Sequence, residues 1–432
     1  MAQMGFIPKV DSTNESSNNE NKGKYLIPLI LITCLFFLWG AANNLNDILI
    51  KQFKKAFELS DFQSGLVQSA FYFGYFVLAM PAAMFMRKRG YKAGILLGLS
   101  LYAAGALLFY PAAESRSYGF FLFALFVIAS GLAFLETAAN PYVAALGSAK
   151  TAAFRLNLAQ SFNPIGSIVG ILIGQQFIFS GVEYSKEQLA QLSATDLQNY
   201  YATEASAVQI PYLIIGIIVI SFMVFIWFTQ FPKVEEEQES TEKVSLTSLF
   251  GIKHFRLAVI TQFFYVGAQV GVWSYLIRYS QNAVTGMSEK DAATYLTYSL
   301  VLFMIGRFVG TALLKTVQAN RLMGFYAIVC MLLVGISIVA SQYLGIWALV
   351  ATSFFMSIMF PTIFTLGLDG LGEGTKLGAS LLVMAIIGGA VLTAVMGLVS
   401  DLHGIKFAQI VPVICFGVVA FYGFKGSKAV VE

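Results

Sequence analysis

Along this chain, runs of about twenty apolar residues alternate with short polar or glycine-bearing stretches. A helix that crosses a bilayer needs about 20 such residues. On that template twelve spans are predicted, at 25–50, 61–86, 93–112, 119–146, 155–180, 209–231, 255–280, 293–315, 322–341, 344–368, 377–400 and 407–425. The expected fold class is an all-α membrane protein with twelve transmembrane helices. An even number puts both ends on one side. With a cytoplasmic N-terminus, 18 of the 27 Lys and Arg fall on the cytoplasmic side, including Arg87, Lys88, Arg89 and Lys92 in one short turn. Eight fall on the other side, and the last, Arg307, lies within a span. The positive-inside rule then makes both termini cytoplasmic in a multi-pass protein of the cell (inner) membrane.

Composition agrees with the pattern. The 432 residues are 57% hydrophobic and 12% charged, with a mean hydropathy of +0.73. Soluble domains carry about 25% charged residues, so the lipid bilayer is the expected surroundings. A net charge of +4 implies no nucleic-acid partner. Cys34, Cys330 and Cys415 lie in apolar runs with neither metal nor disulfide spacing and read as filler.

Polarity also divides the chain. Residues 1–24 have no apolar core, which argues against a cleavable signal peptide there and for a short disordered cytoplasmic tail. The acid-rich stretch at 232–254 reads as a cytoplasmic linker between halves at 25–231 and 255–425, with a tail at 426–432. The halves show faint internal repetition. Gly74 and Gly306 are separated by 232 positions, Pro141 and Pro361 by 220, and Gly166 and Gly388 by 222. Two six-span halves about a central linker match the internal symmetry of major facilitator transporters. IIGGAV at 386–391 reads as close helix packing and not as a nucleotide loop.

Two carboxylates, Asp47 and Glu136, fall well inside the apolar runs. An acid at the centre of a spanning helix costs about 2.5–3.5 kcal/mol, and such residues are functional by default. Their neighbours are polar too. Asn43 and Asp47 are four apart on the first span, and Glu136 and Asn140 four apart on the fourth, so each pair shares a helix face. Asn157, Gln160 and Asn163 lie on the fifth span, Gln68, Tyr72 and Tyr75 on the second, and Gln262, Tyr265, Gln269 and Trp273 on the seventh. Any one amide serves well as interhelical glue. Taken together, amides and carboxylates that pair with hydroxyls, beside aromatic faces that stack on a sugar ring, describe a monosaccharide pocket. His254 and His403 stand in polar connections, and no phosphate-cradling or metal-binding spacing occurs. An enzyme is not expected.

FFLWGAANNLNDIL, FQSGLVQSAFYFGYF, LETAANPYVAALG, FRLNLAQSFNPIGS, FYVGAQVGVWSYLIRY and PTIFTLGL together resemble the fucose–proton symporter family of the major facilitator superfamily, over about residues 25–425. The resemblance implies a rocker-switch carrier for a hexose or deoxyhexose driven by protons, with no other cofactor. It makes Asp47 and Glu136 the protonatable groups associated with coupling and sugar binding. Two positions depart from expectation. Phe360 stands where the fucose-type pattern has a tyrosine before the proline of the tenth span, and glucose- and galactose-carrying relatives share most of these blocks. The turn MRKRGYKAG lacks the superfamily's usual acid, a feature that fucose-type members share.

The expected site therefore has Asp47 mainly carrying the proton, and Glu136 binding sugar and tuning coupling. Asn43, Gln160, Asn163, Gln269, Asn140, Trp273, Gln68 and Tyr72 are the expected sugar contacts. The protein is expected to act as a monomer. A sodium-coupled or passive hexose carrier of the same fold is the alternative, and a membrane sugar sensor or transferase a distant one.

Overall fold

A computed structural model describes residues 20–57, 61–146, 151–178, 186–189, 191–232, 246–340 and 342–427. Among them there is helix and no strand. The first half comprises α1 (Glu20–Ala56), α2 (Asp61–Glu114), α3 (Tyr118–Ala145), α4 (Ala152–Gln160), α5 (Phe162–Phe177), the single turn α6 (Lys186–Leu189), α7 (Ala194–Ser206) and α8 (Gln209–Phe228). After the short α9 (Leu246–Gly251), the second half holds α10 (Lys253–Ala283), α11 (Glu289–Leu313), α12 (Ala319–Val339), α13 (Tyr343–Met356), α14 (Met359–Leu368), α15 (Thr375–Met384), α16 (Gly388–His403) and α17 (Ile410–Phe421).

Nine helical stretches among the described residues are long and apolar enough to cross a membrane. One of them belongs to α2, whose 54 residues would reach about 80 Å if straight, far more than a bilayer core of about 30 Å. The chain folds back at Gly90, whose φ of 80° and ψ of 171° are open to glycine and strained for other residues. The second and third spans are thus joined by a glycine kink, with Arg87, Lys88 and Arg89 still helical, where the pattern suggested a loop. The apolar stretch Ile27–Ala42 of α1 and the broken pair α4–α5 supply the remaining crossings, which makes twelve.

Three boundaries differ from expectation. Helix α1 begins at Glu20 and takes in the end of the predicted tail, whose residues 1–19 lie outside the described residues. The connection at 181–208 carries α7, which packs on α1. There Gln52 Nε2 donates to the backbone oxygen and the Oε2 of the enclosed Glu204, at 2.8 and 2.7 Å. The predicted linker ends in α9 and the first turn of α10, and His254 is buried with Nε2 2.8 Å from the Asp369 carbonyl oxygen.

Close glycine contacts set the helix spacing. A Cβ on Gly166 would stand 1.9 Å from the Phe37 carbonyl oxygen of α1, and one on Gly388 would stand 2.0 Å from that of Phe263 on α10. Gly74 lies against Phe126 and Ala129 of α3, as Gly306 lies against Phe354 of α13. The fifth span therefore meets the first as the eleventh meets the seventh, and the second meets the fourth as the eighth meets the tenth.

On the side of the basic turn the halves are shut against each other. Helix α14 touches α3 and α4, and α15 touches α2 and α3. Lys376 lies 5.1 Å from the Tyr91 ring, and Lys315 lies 5.1 Å from that of Phe154. Each is a cation over an aromatic face, and each joins one half to the other. Other bases on this side cap helix ends. Lys92 donates to the carbonyls of Trp227 and Thr229 at 2.8 Å, the C-terminal placement that a cation favours.

Candidate functional site

Glu136 is about 1% exposed, in the middle of α3. Asn140, one turn on, accepts from Gln160 Nε2 at 2.9 Å through its Oδ1. Gln160 in turn accepts from Arg307 Nη1 through its side-chain Oε1 at 3.1 Å and its backbone oxygen at 3.2 Å. Arg307 Nε donates to the Ser357 carbonyl at 2.8 Å, and its guanidinium carbon lies 4.8 Å from the Phe303 ring. Asn140 and Gln160 belong to the first half, Arg307 and Ser357 to the second. A continuous polar relay thus crosses the interface one turn from Glu136. A second link crosses beside it, from Asn157 Nδ2 to Thr362 Oγ1 at 3.4 Å.

Other buried polar atoms along these helices have no hydrogen-bond partner among the described residues: Trp39 Nε1, the Tyr75 hydroxyl, Glu136 Oε2, Asn140 Nδ2, Asn157 Oδ1 and both amide atoms of Gln262. An unpaired buried polar atom costs about 1–3 kcal/mol. A fold with a net stability of about 5–15 kcal/mol does not gather six such residues for packing. Gln409 and Tyr422, the other two residues with such atoms, stand at opposite ends of the last span.

The expected contacts divide into three groups. Glu136, Asn140 and Gln160 are brought together. Tyr72 is half-buried, and its hydroxyl lies 3.3 Å from where a Cβ on Gly389 would stand, so it reaches the other half; Gln269 is half-buried on α10. The second group is committed elsewhere. Asn163 Nδ2 donates to the Phe36 carbonyl at 3.2 Å, which ties α5 to α1. Trp273 Nε1 donates to Ser353 Oγ at 3.1 Å, and Ser353 also bonds Ser299. These bonds take the Asn163 amide N–H and the Trp273 indole N–H, and leave the Asn163 amide oxygen and the Trp273 ring face out of them. The side chains of Asn43, Asp47 and Gln68 lie outside the described residues.

Arg307, Gln262, Asn157, Trp39 and Tyr75 join the site without having been singled out as contacts. Asn157, Tyr75 and Gln262 had a signal in their position on a polar or aromatic helix stripe, and Trp39 in lying one turn before Asn43 on the first span. Arg307 had the signal of being the one base inside a span.

The Major Facilitator Superfamily profile matches residues 30–378. The L-fucose-proton symporter of Escherichia coli (strain K12) is 48% identical over 413 residues, 94% of each chain. A glucose/galactose transporter of Brucella abortus is 39% identical over 416 residues, 96% of this chain and 97% of that one. The crystal structure of a major facilitator transporter, FucP, in the outward conformation superposes with a TM-score of 0.85 at 47% identity, covering 93% of this chain and 98% of that one.

Proposed function

The chain belongs to the fucose–proton symporter family of the major facilitator superfamily, and we propose that it imports a hexose or deoxyhexose together with protons by alternating access. It is a carrier and not an enzyme. The relatives at 48% and 39% identity carry fucose with protons, or glucose and galactose, by their names. The cargo class here is therefore a monosaccharide with several ring hydroxyls. The carrier works as a single chain in the inner membrane, with both termini cytoplasmic, as the distribution of Lys and Arg favours.

The observation that carries this reading is the enclosed Glu136 beside unpartnered amides and aromatics, next to a relay that spans both halves. A carboxylic acid in a low-dielectric cavity holds its proton more readily than one in water. Alternating hydration of that cavity lets the acid load on one side and release on the other. Asp47 takes the main proton-carrying role, and Glu136 binds sugar hydroxyls and tunes the coupling. One charge crossing 100 mV is worth about 2.3 kcal/mol. A single proton therefore sustains roughly a 40-fold sugar gradient.

Sugar added to de-energised cells in unbuffered medium should make the medium alkaline, with or without sodium. Uptake that persists without alkalinisation would exclude proton symport. A strict sodium requirement would favour the sodium-coupled carrier.

A further inference from the structure

We propose that Arg307 is the clasp that couples the cargo site to closure of the cytoplasmic side. The proposal rests on the alternating-access reading above and adds a positioning residue to it. An Arg at the centre of a span costs about 2.5–3.5 kcal/mol, yet the described partners of Arg307 are neutral. Two of them are backbone carbonyls at helix breaks. Helix α4 stops at Gln160, and α5 carries Pro164 in its first turn. A proline has no N–H to give the carbonyl four residues earlier, which leaves the Gln160 oxygen without its helical donor. The same sequence device recurs at α13–α14, where Pro361 denies an N–H to Ser357. Arg307 donates to both oxygens, one from each half.

The planar guanidinium holds its donors in a fixed fork, so Nε and Nη1 reach the two carbonyls, one in each half of the protein, at the same time. Its third acceptor, Gln160 Oε1, belongs to the amide that also bonds Asn140. Opening on the cytoplasmic side carries α4 away from α11 and α14. The Arg307–Gln160 bonds break, while the Ser357 bond stays within its half. A sugar hydroxyl that takes the Gln160 amide oxygen competes with Arg307 and loosens the clasp before the halves part. Cargo thereby interacts differently with the closed and open states, which is what shifting the equilibrium requires.

The test reads the gate directly. Ser380 is buried on α15, with Oγ 3.7 Å from Met80 Sδ of the other half. Ser380→Cys, with Cys34, Cys330 and Cys415 replaced by Ala, is labelled in inside-out vesicles with a membrane-impermeant maleimide. Losing charge-assisted bonds at the interface should raise the sugar-free labelling rate of Arg307→Gln about tenfold or more. Sugar should speed labelling in the Arg307 background and have no effect in Arg307→Gln. Arg307→Lys keeps the charge without the fork and should fall between; a rate equal to that with Arg307 would overturn the clasp. Pro164→Ala leaves Arg307 in place and returns an N–H to the Gln160 carbonyl, so it should also raise labelling. If Arg307→Gln does not fold, an unchanged rate in Pro164→Ala overturns the proposal, as does an unchanged rate in a folded Arg307→Gln. Because the sugar-free rate needs neither cargo nor coupling ion, an error in either fails the alkalinisation test and leaves this one standing.

Discussion

In the first half, Gly166 lets the fifth span touch Phe37; in the second, Gly388 lets the eleventh touch Phe263. Gly74 and Gly306 do the same for the next pair of spans. The polar residues do not repeat in this way. The first half holds the acid Glu136 with Asn140, Asn157 and Gln160, whereas the second holds the base Arg307, the amides Gln262 and Gln269, and a wall of rings that includes Tyr265, Phe303 and Phe360. Two rocking bodies need the same internal stiffness, and close backbone packing supplies it to both. A coupled carrier also needs a titrating group on one body and a different surface on the other. Symmetry in packing and asymmetry in charge therefore serve separate requirements.

The sharpest way to break the comparison is to fill the glycines. Gly166→Ala and Gly388→Ala each place a Cβ about 2 Å from a carbonyl oxygen, which only a backbone shift relieves. Overpacking costs about 1–3 kcal/mol and occasionally more, and contact with backbone belongs at or above the upper end. Gly335→Ala on α12 meets nothing within 4 Å and should be neutral or gain up to about 1 kcal/mol from helix propensity. Thermal midpoints in one detergent check this. If Gly388→Ala melts with Gly335→Ala while Gly166→Ala does not, the two halves are not packed alike.

The next effects fall on the acids and sharpen the asymmetry. Glu136→Ala removes hydroxyl acceptors together with a titratable group. A hydrogen bond to a charged group contributes about 1.5–3 kcal/mol, roughly 10- to 150-fold in affinity. Calorimetric binding and counterflow should both collapse. Asp47→Asn mimics the protonated acid permanently. Exchange of labelled for unlabelled sugar should survive, while the roughly 40-fold accumulation available at 100 mV should be lost. Loss of exchange in Asp47→Asn with intact affinity in Glu136→Ala would reverse the two roles. Normal accumulation by both variants would remove the acids from coupling altogether.

The parts legible in sequence were those decided locally. Apolar run length gave the spans, and Glu136 and Asn140 stood out because a helix face brings residues four apart together. What stayed hidden needed a distant partner. Pro164 and Pro361 announce two carbonyls without donors, but the donor to Gln160 comes from Arg307, 147 residues away. Asn163 and Trp273 also bond Phe36 and Ser353, partners 127 and 80 residues away that the local pattern does not show. The basic turn read as a loop because Gly90 bends the chain with helix on either side of it. The enclosed Glu204 required α7 to dock on α1, which no local pattern near 204 encodes.

The smallest predicted effect concerns the ring wall of the second half. Phe360 lies 6.5 Å from the Tyr265 ring and stacks on Phe364 at 6.3 Å. It is half-buried. The fucose-type pattern has a hydroxyl here, and Phe360→Tyr restores it without changing the ring. A neutral hydrogen bond contributes about 0.5–1.5 kcal/mol, or roughly 2- to 13-fold in affinity. That gain goes only to a sugar with a hydroxyl facing the new group. Uptake competed by unlabelled L-fucose, D-glucose, D-galactose and D-arabinose should therefore show a changed ranking. Maximal rate should stay nearly constant, because the acids and the relay that move the halves are untouched. If the ranking is unchanged in a normally folded variant, Phe360 lies outside the pocket, and specificity must be sought among the amides, Gln262 and Gln269 of the second half included.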